Sequence, residues 1–299
     1  MTAPLPLIGY VGIGLMGLPM ATHLIANGCR IVGYDSAPSQ SARAAAAGVA
    51  IRGSAAEVAA EVAAGAGLLL LNLPTSAAVA DAMFGAAGAA ATLRPPALVI
   101  DFSTIPVEDG RDYAARLQQQ TGCGWIDAPV SGGPPAAGNG TLTVMAGGAA
   151  DDLARAAPLL ELVSRRCTPM GPVGSGLAAK MINQLIVGCT HAVLAEALVL
   201  AEATGIDAAR IPECLAGGHA DGTLLQLLYP RMAERRFAPQ GYARQLLKDL
   251  EMVSALGAAL RSPAPMAAQA LSLYRMLVHL GHAELDTAAV VKLYDRAAP

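Results

Sequence analysis

The sequence predicts an α/β domain followed by an all-α domain. Short apolar runs alternate with Ala-rich segments up to about residue 171, whereas only helical periodicity follows Gly176. With 299 residues, the chain exceeds the usual size of a single hydrophobic core. We therefore predict two domains, residues 1–172 and 173–299, with the boundary in the Gly-rich turn 171–176.

The first half is predicted to contain a parallel sheet covered by helices. Five apolar runs have strand character, at residues 7–11, 29–34, 68–73, 97–102 and 125–128. Two further runs, 141–146 and 166–170, are expected to extend the sheet. The Ala-rich stretches 42–66 and 86–91 are predicted to be helical, because Ala is the strongest helix former.

The second half is predicted to be entirely helical. Its apolar periodicity, interrupted by Gly and Pro, places helices at residues 177–204, 207–216, 223–234, 242–260, 264–281 and 287–296. The first of these is apolar but includes Lys180, Asn183, Gln184, His191 and Glu196. These polar residues favour a buried helix over a membrane span, so we expect a soluble protein with no membrane partner.

Composition narrows the class of protein. The formal net charge is −3 and no stripe of Lys and Arg with interleaved aromatics is visible, so nucleic acid is not an expected partner. The five cysteines are scattered without C-x-x-C spacing, which indicates neither a disulfide framework nor a zinc site. The N-terminus does not resemble a signal peptide, and we predict a cytoplasmic protein without a bound metal.

A Gly-rich segment links the first predicted strand to the first helix. It has the pattern G-x-G-x-x-G and comprises Gly12, Ile13, Gly14, Leu15, Met16 and Gly17. The first glycine permits a tight turn, the second lets the backbone approach a pyrophosphate, and the third lets the helix pack closely on the sheet. The helix N-terminus then favours the phosphates, so the segment predicts a dinucleotide-binding unit of Rossmann type.

Asp35 follows the second predicted strand, 18 residues beyond Gly17. A carboxylate at this spacing accepts hydrogen bonds from the adenosine ribose hydroxyls and repels a 2′-phosphate. No Arg that could bind such a phosphate is present at residues 36–38. We therefore predict NAD rather than NADP; the alternative is a Gly-rich turn beside a solvated Asp.

Lys180, Asn183 and Gln184 are spaced to project from one face of the long predicted helix. Apolar neighbours would disfavour the charged ammonium of Lys180, which suits a group that passes a proton near neutral pH. Three polar groups on a face of Ala, Ile and Leu are energetically unfavourable unless they are paired or used. The alternative is a surface lysine whose stem covers apolar neighbours.

A second cluster follows the fifth predicted strand, at a sheet edge where ligands bind in open α/β folds. Successive backbone N–H groups at Ser131, Gly132 and Gly133, beside the Ser hydroxyl, could hold a carboxylate. Ser103 and Thr104 follow one neighbouring strand and Leu73 and Pro74 another, and these are predicted to line the same edge.

Several motifs in a fixed order resemble those of the β-hydroxyacid dehydrogenase family, which includes 3-hydroxyisobutyrate dehydrogenases and tartronate semialdehyde (2-hydroxy-3-oxopropionate) reductases. They are G-x-G-x-x-G-x-P-M-A at 12–21, Leu-Pro at 73–74, Asp-Phe-Ser-Thr at 101–104, Asp-Ala-Pro-Val-Ser-Gly-Gly at 127–133, Gly-Thr-Leu at 140–142, the segment 174–183, and Lys-Asp-Leu at 248–250. The resemblance covers essentially the whole chain. It implies a Rossmann domain joined by a long helix to an all-α domain, and a homodimer or homotetramer.

The same resemblance implies roles for individual residues. Lys180 matches the catalytic lysine and Asn183 the asparagine that helps hold substrate, while residues 131–133 match the carboxylate site. Thr104 and Lys248 match positions near the cofactor, and Leu73 and Pro74 belong to the predicted cofactor site. The implied reaction is hydride transfer between NAD and a small β-hydroxyacid or its semialdehyde.

Other functions stay open at this stage. Glyoxylate, succinic semialdehyde or another small carbonyl or imine could be the substrate, although imine-reducing relatives generally lack the catalytic lysine. A noncatalytic NAD-binding protein is a further alternative. Gln245 replaces an apolar residue usual in relatives, and His219, Asp221 and Arg244 lie at positions where this chain departs from the pattern. Whether these four residues shape substrate choice is open. Arg244 or His219 could contact a second polar or anionic group of the substrate; the simpler interpretation is that His219, Asp221 and Arg244 are polar residues on the surface of a loop and a helix.

Overall fold

The structure is a computed structural model, and it describes residues 7–65 and 67–295. The chain divides into two compact units, with the division between Lys180 and Met181. This point lies inside a long helix, whereas the predicted boundary at 172/173 lies just before that helix. The domain limits 1–172 and 173–299 therefore stay a prediction.

The first unit alternates strands and helices. The strands are β1 (Ile8–Val11), β2 (Ile31–Tyr34), β3 (Ala50–Ile51), β4 (Leu68–Leu71), β5 (Leu98–Asp101), β6 (Gly124–Asp127), β7 (Val130–Ser131), β8 (Leu142–Gly147) and β9 (Ser164–Gly171). The helices are α1 (Gly17–Ala26), α2 (Pro38–Ala46), α3 (Ala55–Ala64), α4 (Ser76–Phe84), α5 (Val107–Thr121), α6 (Gly133–Gly138) and α7 (Ala150–Val163). All seven predicted strands are present, each within three residues of its predicted limits.

The strands form one sheet in the order β3-β2-β1-β4-β5-β6-β8-β7, with β9 paired to β8. Strands β1 to β6 run parallel to one another, as βαβ connections require. The predicted parallel sheet is present and is extended at one side by β8, which runs antiparallel to β6 and β7. The reason is the short α6 connection, which reverses the chain between β7 and β8.

The Ala-rich stretch 42–65 is mostly helical, but it contains one strand that the sequence did not predict. Gly48, at φ +97°, follows the end of α2, and the two-residue strand β3 separates α2 from α3. Ala dominates this stretch, so helix propensity masks a strand that is only two residues long. In the stretch 86–91, only a short 3₁₀ turn forms, at Ala89–Ala91.

The second unit continues the long helix α8 (Ser175–Thr204) and adds α9 (Ile211–Leu215), α10 (Thr223–Ala233), α11 (Ala243–Ala259) and α12 (Pro265–Leu277). Short 3₁₀ or π turns follow at Val278–His282 and Thr287–Tyr294. Between residues 181 and 295 the structure has no strand, only one isolated bridge between Tyr242 and Asp286. The fold class is confirmed: a Rossmann-type α/β domain, a long helix and an all-α domain.

Helix α8 is long and apolar enough to cross a membrane by length and composition. Its polar side chains nevertheless have protein partners: Lys180 donates to the Val130 carbonyl, Gln184 donates to Asp249, and a ring nitrogen of His191 lies 3.1 Å from the Tyr274 hydroxyl. Buried polar groups satisfied in this way are typical of a core helix. These contacts favour the predicted buried helix over a membrane span.

Candidate active site

The carboxyl ends of five parallel strands lie level with one another. Val11 pairs with Tyr34 and with Leu71, Leu71 pairs with Asp101, and Asp101 pairs with Asp127. The segment after each strand therefore begins at the same edge of the sheet, which is where open α/β folds bind ligands. This register brings together the Gly-rich loop, Asp35, the Leu73–Pro74 segment, the Ser103–Thr104 segment and residues 128–133.

The Gly-rich loop has three glycines with three different surroundings. Gly12 has φ +89°, and a Cβ there would overlap the Asn72 carbonyl. A Cβ on Gly17 would overlap the carbonyl of Gly12. A Cβ on Gly14 would meet nothing within 4 Å. The first and third glycines are thus required by the protein itself, whereas the second leaves a bare backbone facing open space, as a pyrophosphate site requires.

Asp35 lies directly beside this loop. Its carboxylate accepts hydrogen bonds from the backbone N–H of Ile13 at 2.7 Å and of Ala37 at 2.9 Å. These contacts fix its position after β2. A carboxylate has about four lone-pair sites, so two such bonds leave acceptor capacity for ribose hydroxyls. The interpretation as an unattached, solvated Asp does not fit this geometry.

Ser103 connects two of the segments at the sheet edge. Its hydroxyl accepts a hydrogen bond from the Leu73 N–H at 2.9 Å, and its own N–H donates to Asp101 at 2.9 Å. Ser103 is buried, whereas Thr104 is half-buried and Pro74 is exposed. Ser103 therefore holds the loop, and Leu73, Pro74 and Thr104 are the members of this group with surface at the edge.

The segment after β6 is more ordered than a plain turn. Ser131 lies in β7 and pairs with Thr143, whereas Gly132 and Gly133 have φ of +129° and +68°. Gly133 begins the short helix α6. The sequence predicted a run of backbone N–H groups here, and the structure places the three residues across the junction of a strand and a helix.

Lys180 is buried, with 7% of its surface exposed. Its Nζ donates a hydrogen bond to the Val130 carbonyl at 2.7 Å. The ammonium group is therefore beside Ser131, and the alternative of an exposed surface lysine is excluded. Helix α8 and strand β7 together place this group at the edge of the sheet.

Asp127 stands at the end of β6 and was given no role by the sequence. Its two carboxylate oxygens accept hydrogen bonds from the N–H of Gly174 at 2.7 Å and of Leu177 at 2.8 Å, at the start of α8. Burial raises the pKa of Asp127 to about 6, and the backbone hydrogen bonds oppose that rise.

In the second unit, two hydrogen bonds and one ion pair link Asn183 to Lys248 through Gln184 and Asp249. The Asn183 amide donates to Oε1 of Gln184 at 2.7 Å, and Nε2 of Gln184 donates to buried Asp249 at 2.5 Å. Nζ of Lys248 lies 3.3 Å from the other oxygen of Asp249. The sequence singled out Asn183 and Lys248 but missed Asp249, which joins them.

Two family models match the chain in tandem. The model described as the NAD binding domain of 6-phosphogluconate dehydrogenase matches residues 7–171. The model described as the NAD-binding of NADP-dependent 3-hydroxyisobutyrate dehydrogenase matches residues 174–294. The 2-hydroxy-3-oxopropionate reductase of Escherichia coli is 30% identical over 97% of this chain and 98% of its own length. The chain belongs to the β-hydroxyacid dehydrogenase family.

Two further relatives support the same family. The NAD-dependent L-serine dehydrogenase of Pseudomonas aeruginosa is 35% identical over 96% of this chain and 97% of its own length. A solved structure of the Mycobacterium tuberculosis 3-hydroxyisobutyrate dehydrogenase with L-serine is 32% identical, has a TM-score of 0.86, and covers 98% of this chain and 100% of that chain. This β-hydroxyacid dehydrogenase is therefore an NAD(P)-binding oxidoreductase, which confirms the predicted family and reaction class.

Arg244 and Asp221, whose part in substrate choice the sequence left open, have local partners. Arg244 pairs with Glu284 at 2.6 Å and lies 4.6 Å from the centre of the Tyr242 ring. Asp221 accepts hydrogen bonds from its own loop, from Gly217 and Gly222, each at 2.8 Å. These contacts account for both residues without a substrate. His219 is exposed and Gln245 half-buried, and their influence on substrate choice stays open.

Within residues 7–65 and 67–295, no group of three or more His, Cys, Asp or Glu side chains could hold a metal ion.

The Gln184 amide is expected to matter for stability. Gln184→Leu removes the donor to the buried Asp249 carboxylate and the acceptor for Asn183, so we expect the free energy of unfolding to fall by about 1–3 kcal/mol. Denaturant unfolding of the purified protein measures this. Gln119→Leu, on the exposed face of α5, is the matched control and should change stability by less than about 0.5 kcal/mol. Equal effects of the two substitutions would contradict the assigned contact.

Proposed function

We propose that this β-hydroxyacid dehydrogenase prefers NAD and acts on a small β-hydroxyacid or its semialdehyde, with Lys180 as general acid and base. One observation carries the proposal. Lys180 is a buried ammonium at 2.7 Å from the Val130 carbonyl, directly beside Ser131 in the predicted carboxylate site. A proton donor is thus held next to the residues that would orient an acidic substrate.

The cofactor would transfer the hydride, and the protein would transfer the proton. When bound, the nicotinamide ring gives hydride to the carbonyl carbon of the substrate or takes it from the carbinol carbon. Lys180 gives a proton from Nζ to the carbonyl oxygen during reduction and receives one from the hydroxyl during oxidation. Hydride plus proton converts C=O into CH–OH, so the reaction balances.

The remaining site residues bind and orient. Ser131, Gly132 and Gly133 would bind the substrate carboxylate through the Ser hydroxyl and backbone N–H groups. Asn183 would hold the substrate through its amide, whose orientation is set by Gln184. Residues 12–17, Asp35, Leu73, Pro74, Thr104 and Lys248 would contact the cofactor; the bare backbone at Gly14 fits its phosphates.

Relatives named for 3-hydroxyisobutyrate, 2-hydroxy-3-oxopropionate and L-serine suggest the first substrates to test. Two sets of assays test these compounds. The reduction of NAD is measured with each hydroxyacid, and the oxidation of NADH is measured with each semialdehyde, including succinic semialdehyde, and with glyoxylate. Highest kcat/KM on a three- or four-carbon β-hydroxyacid pair supports the proposal. A preference for glyoxylate or succinic semialdehyde, or no turnover on any compound, would overturn it.

Cofactor preference is assigned to the charge of Asp35. We expect kcat/KM for NADH to exceed that for NADPH by tenfold or more, about 1.4 kcal/mol, because the carboxylate repels a 2′-phosphate. Asp35→Asn keeps an oxygen acceptor for the Ile13 N–H but removes the charge, and should reduce this ratio. Asp112→Asn, an exposed carboxylate on α5, is the control and should leave the ratio unchanged. A wild-type preference for NADPH would contradict the role of Asp35.

We also propose a homodimer or homotetramer. Helix α8 exposes a row of apolar side chains at spacings of four and seven residues, namely Ile182, Ile186, Val193 and Leu200. Exposed apolar rows of this kind are typical of subunit interfaces. Light scattering should report two or four subunits, and Ile186→Lys should shift the population toward monomer. A monomeric wild-type protein at micromolar concentration would refute the assembly.

We propose a cytoplasmic location because the cysteines are free thiols. All five cysteines are free in the structure, and burial raises the pKa of Cys29, Cys123, Cys167 and Cys189. Free, protonated thiols are typical of proteins in a reducing compartment. Cell fractionation tests this, and recovery in a secreted or membrane fraction would contradict it.

A further inference from the structure

Asp127 holds the start of α8 with both oxygens of its carboxylate. One oxygen accepts from Gly174 and the other from Leu177, which are three residues apart at the helix N-terminus. The first N–H groups of a helix have no partner within the helix, so a side chain that accepts two of them fixes where the helix begins. This carboxylate comes from residue 127, about 50 positions earlier in the chain, and not from an adjacent capping residue.

The surroundings of the carboxylate are shaped to hold it. A Cβ added to Gly147 or to Gly176 would lie 2.6 or 2.9 Å from an oxygen of Asp127. Two bare stretches of backbone therefore enclose the group, and Asp127 itself is fully buried. Such an enclosure leaves the carboxylate little freedom to move relative to α8.

A second contact joins the same two segments. Three residues after Asp127, the Val130 carbonyl accepts from Nζ of Lys180. Lys180 lies three residues beyond Leu177, about 4.5 Å further along the helix. The short segment 127–130 thus holds α8 twice, at its first turn through Asp127 and about one turn later through Lys180.

We propose that Asp127 is a positioning residue for Lys180: by fixing the start and rotation of α8, it places Nζ at the Val130 carbonyl beside Ser131. The inference rests on the proposed role of Lys180 as proton donor and acceptor. Asp127 touches neither substrate nor cofactor in this account. Asp127 affects turnover only because it determines where Nζ of Lys180 lies.

A double-mutant cycle of Asp127→Asn with Lys180→Ala tests this. The Asn amide presents an N–H group to one of the two backbone donors, so the helix start loses an acceptor while the side-chain shape is kept. We expect Asp127→Asn to lower kcat by about 10- to 100-fold with little change in the KM for NADH, because small misplacements of a reacting group have effects of that size. In the Lys180→Ala background, assayed with added methylamine to raise residual turnover, the same substitution should have no further effect.

The outcomes distinguish the positioning role of Asp127 from the proton-transfer role of Lys180. Equal losses from Asp127→Asn in both backgrounds would overturn the inference and leave the role of Lys180 standing. Full turnover in Lys180→Ala would instead overturn the proposed function. Asp207→Asn is the control for the loss of a helix cap elsewhere in the protein. Asp207 accepts a hydrogen bond from the Ala209 N–H at the start of another helical turn, and its substitution should leave kcat unchanged. If Asp127→Asn does not fold, Asp127→Ser, which retains a capping oxygen, takes its place in the cycle.

Discussion

Lys180→Ala is expected to lower kcat by about 10²- to 10⁴-fold, the usual contribution of a general acid or base. The affinity for NADH should stay nearly unchanged, because the substituted side chain contacts the Val130 carbonyl and is not assigned to the cofactor site. Steady-state kinetics on the preferred substrate measures the first quantity, and fluorescence titration of NADH measures the second. Retained turnover would end the assignment of Lys180.

A second variant separates charge from proton transfer. Lys180→Arg keeps a positive charge and a hydrogen-bond donor, but a guanidinium does not release its proton in proteins. If Lys180 only stabilises charge on the substrate oxygen, the Arg variant should keep a large share of activity. If it passes a proton, the Arg variant should be nearly as impaired as the Ala variant, and we expect this second result.

The main elements of the fold follow from local patterns. Each long apolar run in the first half became a strand, and the G-x-G-x-x-G pattern lies between β1 and α1 because its first and third glycines have no room for a side chain. The predicted strand over 29–34 begins two residues late, at Ile31. Periodicity identifies an element, but pairing with neighbours decides its limits.

Contacts between distant residues were not readable from the sequence. Asp127 meets α8 about 50 residues later, and Gln184 meets Asp249 at a separation of 65 residues. Asp127 and Asp249 both belong to motifs that the sequence analysis identified, but the sequence did not predict a hydrogen-bond partner for either residue. A polar residue at the end of a buried strand is a signal that some such contact exists, and the register of the sheet is needed to say which.

Gly14→Ala provides the sharpest test of the cofactor site, because the effect should be confined to binding. The added methyl meets no protein atom within 4 Å, so folding should be unaffected. It would occupy the space into which a pyrophosphate must fit, and we expect the Kd for NADH to rise by about 100-fold or more, roughly 2.7 kcal/mol. Isothermal titration gives the Kd, and thermal unfolding without cofactor gives the stability.

Two other glycines make the comparison decisive. Gly12→Ala should lower the unfolding temperature even without cofactor, because its φ of +89° disfavours a side chain and the methyl would overlap the Asn72 carbonyl. Gly222→Ala, where a methyl also meets nothing within 4 Å, should alter neither property. If Gly14→Ala binds NADH as the wild type does, the phosphates do not lie against Gly14. If it unfolds as readily as Gly12→Ala, the open space at Gly14 belongs to the fold and not to a ligand.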